Sequence, residues 1–161
     1  MNPTTEEIEL LYNLFKKIEN SDLLEKQKKY HLFKHLMSHV EWCYRVTGIT
    51  RDALICLKKN NFDKPKGKIH RGHRVNLSQT YKYLKNNNLN KDKWWEYFWN
   101  NDKTVLMTTD ENSNKKNKQI SDLYLIDYKK GLFKDTGNIS YKHERKEKEF
   151  LKKLYKEKFN I

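Results

Sequence analysis

The chain has 161 residues, a formal net charge of +13, and 36% hydrophobic, 34% charged and 13% aromatic residues. Five Gly and two Pro leave little room for a turn-rich β-sandwich or a collagen-like repeat, and 21 aromatic residues with regularly spaced Leu and Ile exceed what a disordered chain carries. No apolar run reaches the roughly 20 residues of a membrane span, and the opening Met1-Asn2-Pro3-Thr4-Thr5-Glu6-Glu7 has no signal-peptide character, so the expectation is a soluble, cytoplasmic protein with no membrane partner.

In chain order, Thr4 and Glu7 form a capping box ahead of Ile8, Leu11, Phe15 and Ile18, which recur at helical spacing. Asp22 and Glu25 open a longer helix whose apolar stripe is Leu32, Leu36, Val40 and Cys43, flanked by Phe33, Met37 and Tyr44 and closed by Gly48 as a C-cap. Thr50 then caps a short helix through Ala53, Leu54 and Leu57, so residues 1 to 60 read as three helices. Pro65 and Gly67 break this pattern, and Lys68 to Val75 is extended or turn-like. Ser78 to Lys85 and Lys91 to Asn101 are helical; Thr104 to Thr108 is a strand, and Thr109 caps a helix with Asp110 and Glu111 in its first turn. A strand over Leu123 to Tyr128 precedes a mixed-charge helix from about Ser140 to Phe159. The expected fold is α+β, mainly helical, in three stretches of one compact unit: 1–62, 63–118 and 119–161.

Lys outnumbers Arg 29 to 5, Asn occurs 17 times and Ala once, a composition that A+T-rich codons favour. Whatever its origin, an excess of 34 basic over 21 acidic residues produces a positive field that attracts phosphate backbones. Cys43 and Cys56 are too far apart for zinc-ligand spacing and read as free thiols of a reducing compartment.

Four constellations bear on function. Val46-Thr47-Gly48-Ile49-Thr50-Arg51 is similar to the turn of a helix-turn-helix, although Tyr44 stands where that motif takes a small residue. His31, His35 and His39 recur every four residues, but the first and last lie about 12 Å apart along a helix and cannot share one ion. Trp94, Trp95, Tyr97, Phe98 and Trp99 pair at i, i+4, which suits a core better than a base-stacking platform. The fourth is His70-Arg71-Gly72-His73-Arg74-Val75, followed by Val105-Leu106-Met107-Thr108-Thr109-Asp110-Glu111-Asn112.

Aligned on Thr108-x-x-Glu111-Asn112, this last pair of stretches resembles the HNH (ββα-metal) endonucleases, of phage or homing-endonuclease type. The resemblance implies a small ββα-metal-like segment, a divalent metal (Mg²⁺, or another such as Mn²⁺) ligated by Asn112, and His73 as general base. The family's second ligand precedes the base histidine. Gly72 holds that place here, leaving His70, Glu111 or Asp110 to supply it. The implied function is metal-dependent hydrolysis of phosphodiester bonds in double-stranded DNA, with Arg71 and Arg74 gripping phosphates, and Arg51, Lys115 and Lys116 extending the footprint. The rival readings are a non-catalytic DNA-binding protein using the Gly48 turn, and an RNA- or protein-binding accessory factor.

Overall fold

A computed structural model of the chain describes residues 2–38, 40, 42–113, 122–134, 136 and 140–160. Their elements, in chain order, are α1 (Thr5–Glu19), α2 (Lys26–Ser38), β1 (Arg45–Thr50), α3 (Arg51–Lys59), β2 (Ile69–His73), α4 (Leu77–Asn86), α5 (Lys91–Asn101), β3 (Lys103–Thr108), α6 (Thr109–Ser113), β4 (Leu123–Leu125), a 3-10 turn (Tyr128–Lys130) and α7 (Arg145–Phe159). Among the described residues the fold is thus α+β and mainly helical, with a small mixed sheet of four strands. The chain divides into two compact units, Met1–Tyr44 with His73–Lys103, and Arg45–Gly72 with Thr104–Ile161. These crossings, at 44/45, 72/73 and 103/104, differ from the contiguous stretches expected from sequence.

The first unit packs α1, α2, α4 and α5. Thr4 Oγ1 accepts the Glu7 N–H at 3.2 Å and Glu7 Oε2 accepts the Thr4 N–H at 2.7 Å, which fixes where α1 starts. With Ala nearly absent, rings fill the interior. Phe15 lies 5.8 Å from Phe33 and 5.4 Å from Trp94, and Trp94 stacks on Phe98 at 5.8 Å. The tryptophan-rich α5 is therefore core, as its i, i+4 pairs require. On α2 the buried stripe is Phe33 and Met37, not the expected Leu32 line, and Leu32 is 42% exposed. The helix also stops at Ser38, whose Oγ donates to His35 O at 2.7 Å, so Cys43 is not helical. Tyr44 then adopts a positive φ of 57° as the chain turns toward β1.

The second unit is built on the sheet, ordered β2-β3-β1-β4. Thr104 Oγ1 donates to Arg45 O at 2.9 Å where β3 and β1 begin, and Thr108 and Thr50, where they end, share a partner described below, so the two run parallel. β4 pairs antiparallel with β1, with Gly48 opposite Leu125. At the two ends of the β2–β3 pair, Thr109 N donates to Lys68 O and Arg74 N to Lys103 O, the pattern of antiparallel strands. Val46, Ile49, Leu54, Leu57, Ile69, Leu106, Leu151 and Leu154 form the core against α3 and α7.

Gly48 does not cap a helix. It lies in β1, a run of β-branched Val46, Thr47, Ile49 and Thr50 that suits a pleated surface, and no helix-turn-helix exists there. A Cβ at Gly48 would meet Leu123 Cδ1 at 2.8 Å and the Tyr124 carbonyl oxygen at 3.2 Å, so the residue is glycine because β4 approaches closely. Two further elements are shorter than expected. β4 ends at Leu125, before the 3-10 turn, and α7 starts at Arg145, where Glu144 and Glu147 form a capping box. No helix among the described residues is long and apolar enough to cross a membrane.

Gly48→Ala is expected to destabilise the fold by about 1–3 kcal/mol through overpacking. Gly67→Ala, where φ is +69° but nothing lies within 4 Å, is expected to cost about 1 kcal/mol or less. Urea denaturation of both variants checks this, and the reverse ranking would contradict the strand assignment.

Candidate active site

The sequence Thr108-Thr109-Asp110-Glu111 closes β3 and opens α6 with a second capping box, of the same kind as that at Thr4. Thr108, not Thr109, is the N-cap: its Oγ1 accepts the Glu111 N–H at 3.2 Å, while Glu111 Oε2 accepts the Thr108 N–H at 2.8 Å and the Thr108 hydroxyl at 2.9 Å. The same Oε2 accepts the Thr50 hydroxyl at 2.8 Å, and Thr50 Oγ1 in turn accepts the Ala53 N–H at 3.2 Å as the N-cap of α3. One carboxylate oxygen thus ties together the ends of β1 and β3 and the starts of α3 and α6. Hydrogen bonds to an ionised acceptor are the stronger kind. Glu111 Oε1 accepts no hydrogen bond from the described residues. Thr109 fixes the helix from outside, donating N–H to Lys68 O at 3.0 Å and Oγ1–H to Gly67 O at 2.6 Å. Asn112 follows, half-buried, on a helix of five residues that is too short for its dipole to matter.

β2 carries the two candidate histidines, both half-buried. Side chains alternate across a strand, so His70 and His73 fall on opposite faces of β2 and do not form one ligand pair. His73 and Arg74 belong to the first unit, and His70, Arg71, Arg51, Glu111 and Asn112 to the second.

Within the first unit, His73 Nε2 stands 4.0 Å from Asp102 Oδ1, and the Tyr44 ring meets the imidazole edge-on at 4.7 Å between centroids. The Asp102 side chain is fully buried, and its Oδ2 accepts the Tyr44 N–H at 2.8 Å. A fixed carboxylate beside an imidazole restricts how the ring can turn. Sequence reasoning missed Asp102. Its position directly after α5 is visible, but its partners His73 and Tyr44 lie 29 and 58 residues away in the chain.

The expected phosphate contacts divide three ways. Arg74 and Arg51 are exposed, Arg51 with its guanidinium 5.7 Å from the Phe159 ring centre. Arg71 is only 4% exposed and cannot grip a phosphate from the surface. It lies close to Lys64, whose pKa is pushed down by burial and by the Arg71 charge. The Lys64 ammonium donates to Ser140 Oγ and Tyr141 O and sits 4.0 Å from the Tyr141 ring centre. Lys115 and Lys116 lie outside the described residues, as does His39. His31 and His35 are exposed on α2.

Among the described residues no group of three or more His, Cys, Asp and Glu side chains could hold a metal ion. A magnesium-like ion does not need one, because it retains waters and takes one or two protein oxygens plus substrate phosphate. Glu111 Oε1 and Asn112 Oδ1 are hard oxygen donors of that kind on adjacent residues. A ligating carboxylate is itself hydrogen-bonded as a rule, and Glu111 meets that condition through Oε2.

Glu111→Ala is expected to lower stability by about 2–3 kcal/mol, since it removes a cap and strands two threonine hydroxyls. Asp110→Ala, an exposed neighbour on the same helix, is expected to stay within about 0.5 kcal/mol of the parent. Chemical denaturation of the two variants measures both, and equal midpoints would show that the carboxylate fastens nothing. Comparison of the chain with protein-family models, with curated proteins and with solved structures found no match.

Proposed function

We propose that the protein is a metal-dependent endonuclease of the HNH (ββα-metal) type that hydrolyses phosphodiester bonds in double-stranded DNA. One observation carries the reading: the Glu111 carboxylate is held by three donors on Oε2, while Oε1, beside Asn112, accepts no hydrogen bond from the described residues. This occurs on the helix that directly follows β3, and β3 pairs with the histidine-bearing β2. The segment departs from a simple hairpin in that α4 and α5 lie between its two strands.

In this reading Glu111 and Asn112 would hold Mg²⁺ or Mn²⁺, and such an ion would supply Lewis-acid stabilisation of charge on a phosphate. The resemblance gives His73, in the first unit, the role of the base that would take a proton from water. Asp102, buried and fixed by the Tyr44 N–H, orients the imidazole and stabilises the charge it gains. Arg74 and Arg51 are exposed to contact backbone phosphates, and the net charge of +13 draws the duplex in. Cys43 and Cys56 are not disulfide-bonded, which suits a reducing cytoplasm.

A plasmid-relaxation assay with Mg²⁺ or Mn²⁺ tests the proposal on the parent chain and on His73→Ala, His70→Ala and Asn112→Ala. The expected result is cleavage by the parent, a loss of about 10²-fold or more in His73→Ala, loss in Asn112→Ala, and duplex affinity kept in both. Cleavage undiminished in His73→Ala would remove that residue from the chemistry. Tight duplex binding without cleavage by any of the four would leave a non-catalytic DNA-binding protein.

A further inference from the structure

The turn that leaves α3 is strained and tied down from far along the chain. Asn61 and Phe62 adopt positive φ values of 53° and 60°, a region that residues with bulky side chains hold only where their surroundings enforce it. Four contacts from residues 140–148 do so, all within the second unit. His143 Nε2 donates to Phe62 O at 2.8 Å. The Lys64 ammonium donates to Ser140 Oγ at 2.9 Å and to Tyr141 O at 3.1 Å, and Asp63 pairs with Lys148.

The first of these contacts is the one that acid can reach. A carbonyl oxygen only accepts, so His143 Nε2 carries the ring proton and Nδ1 is left as a bare acceptor. Nδ1 is buried and has no hydrogen-bond partner among the described residues. Rings wall it in: Tyr141 and Phe133, 2% and 1% exposed, have their centres 5.9 and 6.5 Å from that of the imidazole.

Charged groups face the imidazole from every side of this junction. Lys64 on the turn and Lys148 on α7 oppose a positive ring, and Arg71 on β2 adds its charge beside Lys64. Asp63 and Glu147 favour a positive ring, but both are engaged elsewhere. Lys148 holds Asp63, while Glu147 Oε2 accepts the Glu144 N–H at 2.9 Å and Oε1 stands 3.7 Å from the Lys146 ammonium. Burial keeps the Tyr141 phenol neutral. Burial and the two ammoniums together outweigh the Phe62 hydrogen bond and Glu147, and push the His143 pKa below the usual histidine range.

We propose that His143 is an acid-released latch: a second ring proton puts a buried N–H with no acceptor beside two ammoniums, and residues 140–148 part from the turn at Asn61 and Phe62. Protons bind the open form more tightly than the closed one, so the latch holds fully above the usual histidine range and gives way as pH falls below it. Opening also relieves the strain at Asn61 and Phe62. The inference goes beyond the endonuclease reading and does not depend on it.

Amide hydrogen exchange followed by NMR, corrected for the intrinsic pH dependence of exchange, tests the latch at about pH 7.5 and about pH 5. The Phe62 N–H on Leu57 O and the Lys142 N–H on Lys134 O, both at 2.7 Å, report on its two sides. The parent chain is expected to lose about tenfold protection at both amides at the lower pH, the equivalent of about one pKa unit, while Leu151 in the core of α7 keeps its own. His143→Gln retains an N–H for Phe62 O but cannot gain a proton, and is expected to show the same protection at both pH values. In the parent, the His143 ring resonances are expected to titrate over the same range as the two amides, a result that decides the matter even where His143→Gln does not fold. Unchanged protection in the parent, an equal loss in His143→Gln, or opening that follows a carboxylate titration instead of the imidazole would each overturn the latch.

Discussion

A single carboxylate oxygen organises one end of the sheet in the second unit. Glu111 Oε2 receives hydrogen bonds from the Thr108 backbone, the Thr108 hydroxyl and the Thr50 hydroxyl, all between 2.8 and 2.9 Å. Because Thr50 ends β1 and Thr108 ends the parallel β3, this oxygen holds two strand termini in register. Because the same two threonines cap α3 and α6, it also sets where both helices begin. α6, at five residues, would not persist in water by itself. Its geometry comes from these fastenings and from Thr109 on Gly67 and Lys68. That no described residue donates to Oε1 is therefore a property of a fixed group, and that is why it supports the proposed ligand role of Glu111 and its neighbour Asn112.

Local features of the chain were legible where the deciding interactions are local. The capping box at Thr4, the helix spanning Lys91–Asn101 and the strand ending at Thr108 all follow from side chains within four residues of one another. The failures are non-local. Val46 to Thr50 reads as a turn because Gly48 looks like a C-cap, yet the close approach of Leu123 and Tyr124, more than seventy residues later, makes glycine the residue that fits. The buried stripe on α2 lies one position from the Leu32 line, since Leu and Phe are equally apolar in a pattern and only the ring volume demanded by Phe15 and Tyr81 selects Phe33.

The candidate site shows the same division. Thr108-x-x-Glu111 is both a family-like motif and a capping box, and the second meaning, visible in the sequence, accounts for the contacts between Thr108 and Glu111 without any metal, though not for the Thr50 hydroxyl on Oε2. The first meaning rests on Oε1 and Asn112. Asp102 had no local signal at all, because its role depends on Tyr44 and His73 reaching it from distant parts of the chain. Charge alone was also ambiguous: Arg71 and Arg74 are equivalent in sequence, but one is buried against core and the other exposed.

The central claim is that a divalent cation settles on the first turns of α6. Isotope-labelled protein titrated with substoichiometric Mn²⁺ and followed by NMR tests it most directly, since paramagnetic broadening marks the nuclei nearest the ion. The account predicts that the Asn112 side-chain amide and the backbone amides of Glu111 and Asn112 broaden first, and that Mg²⁺ in excess restores them. Broadening centred on the exposed His31 and His35 of α2, with α6 unaffected, would contradict it.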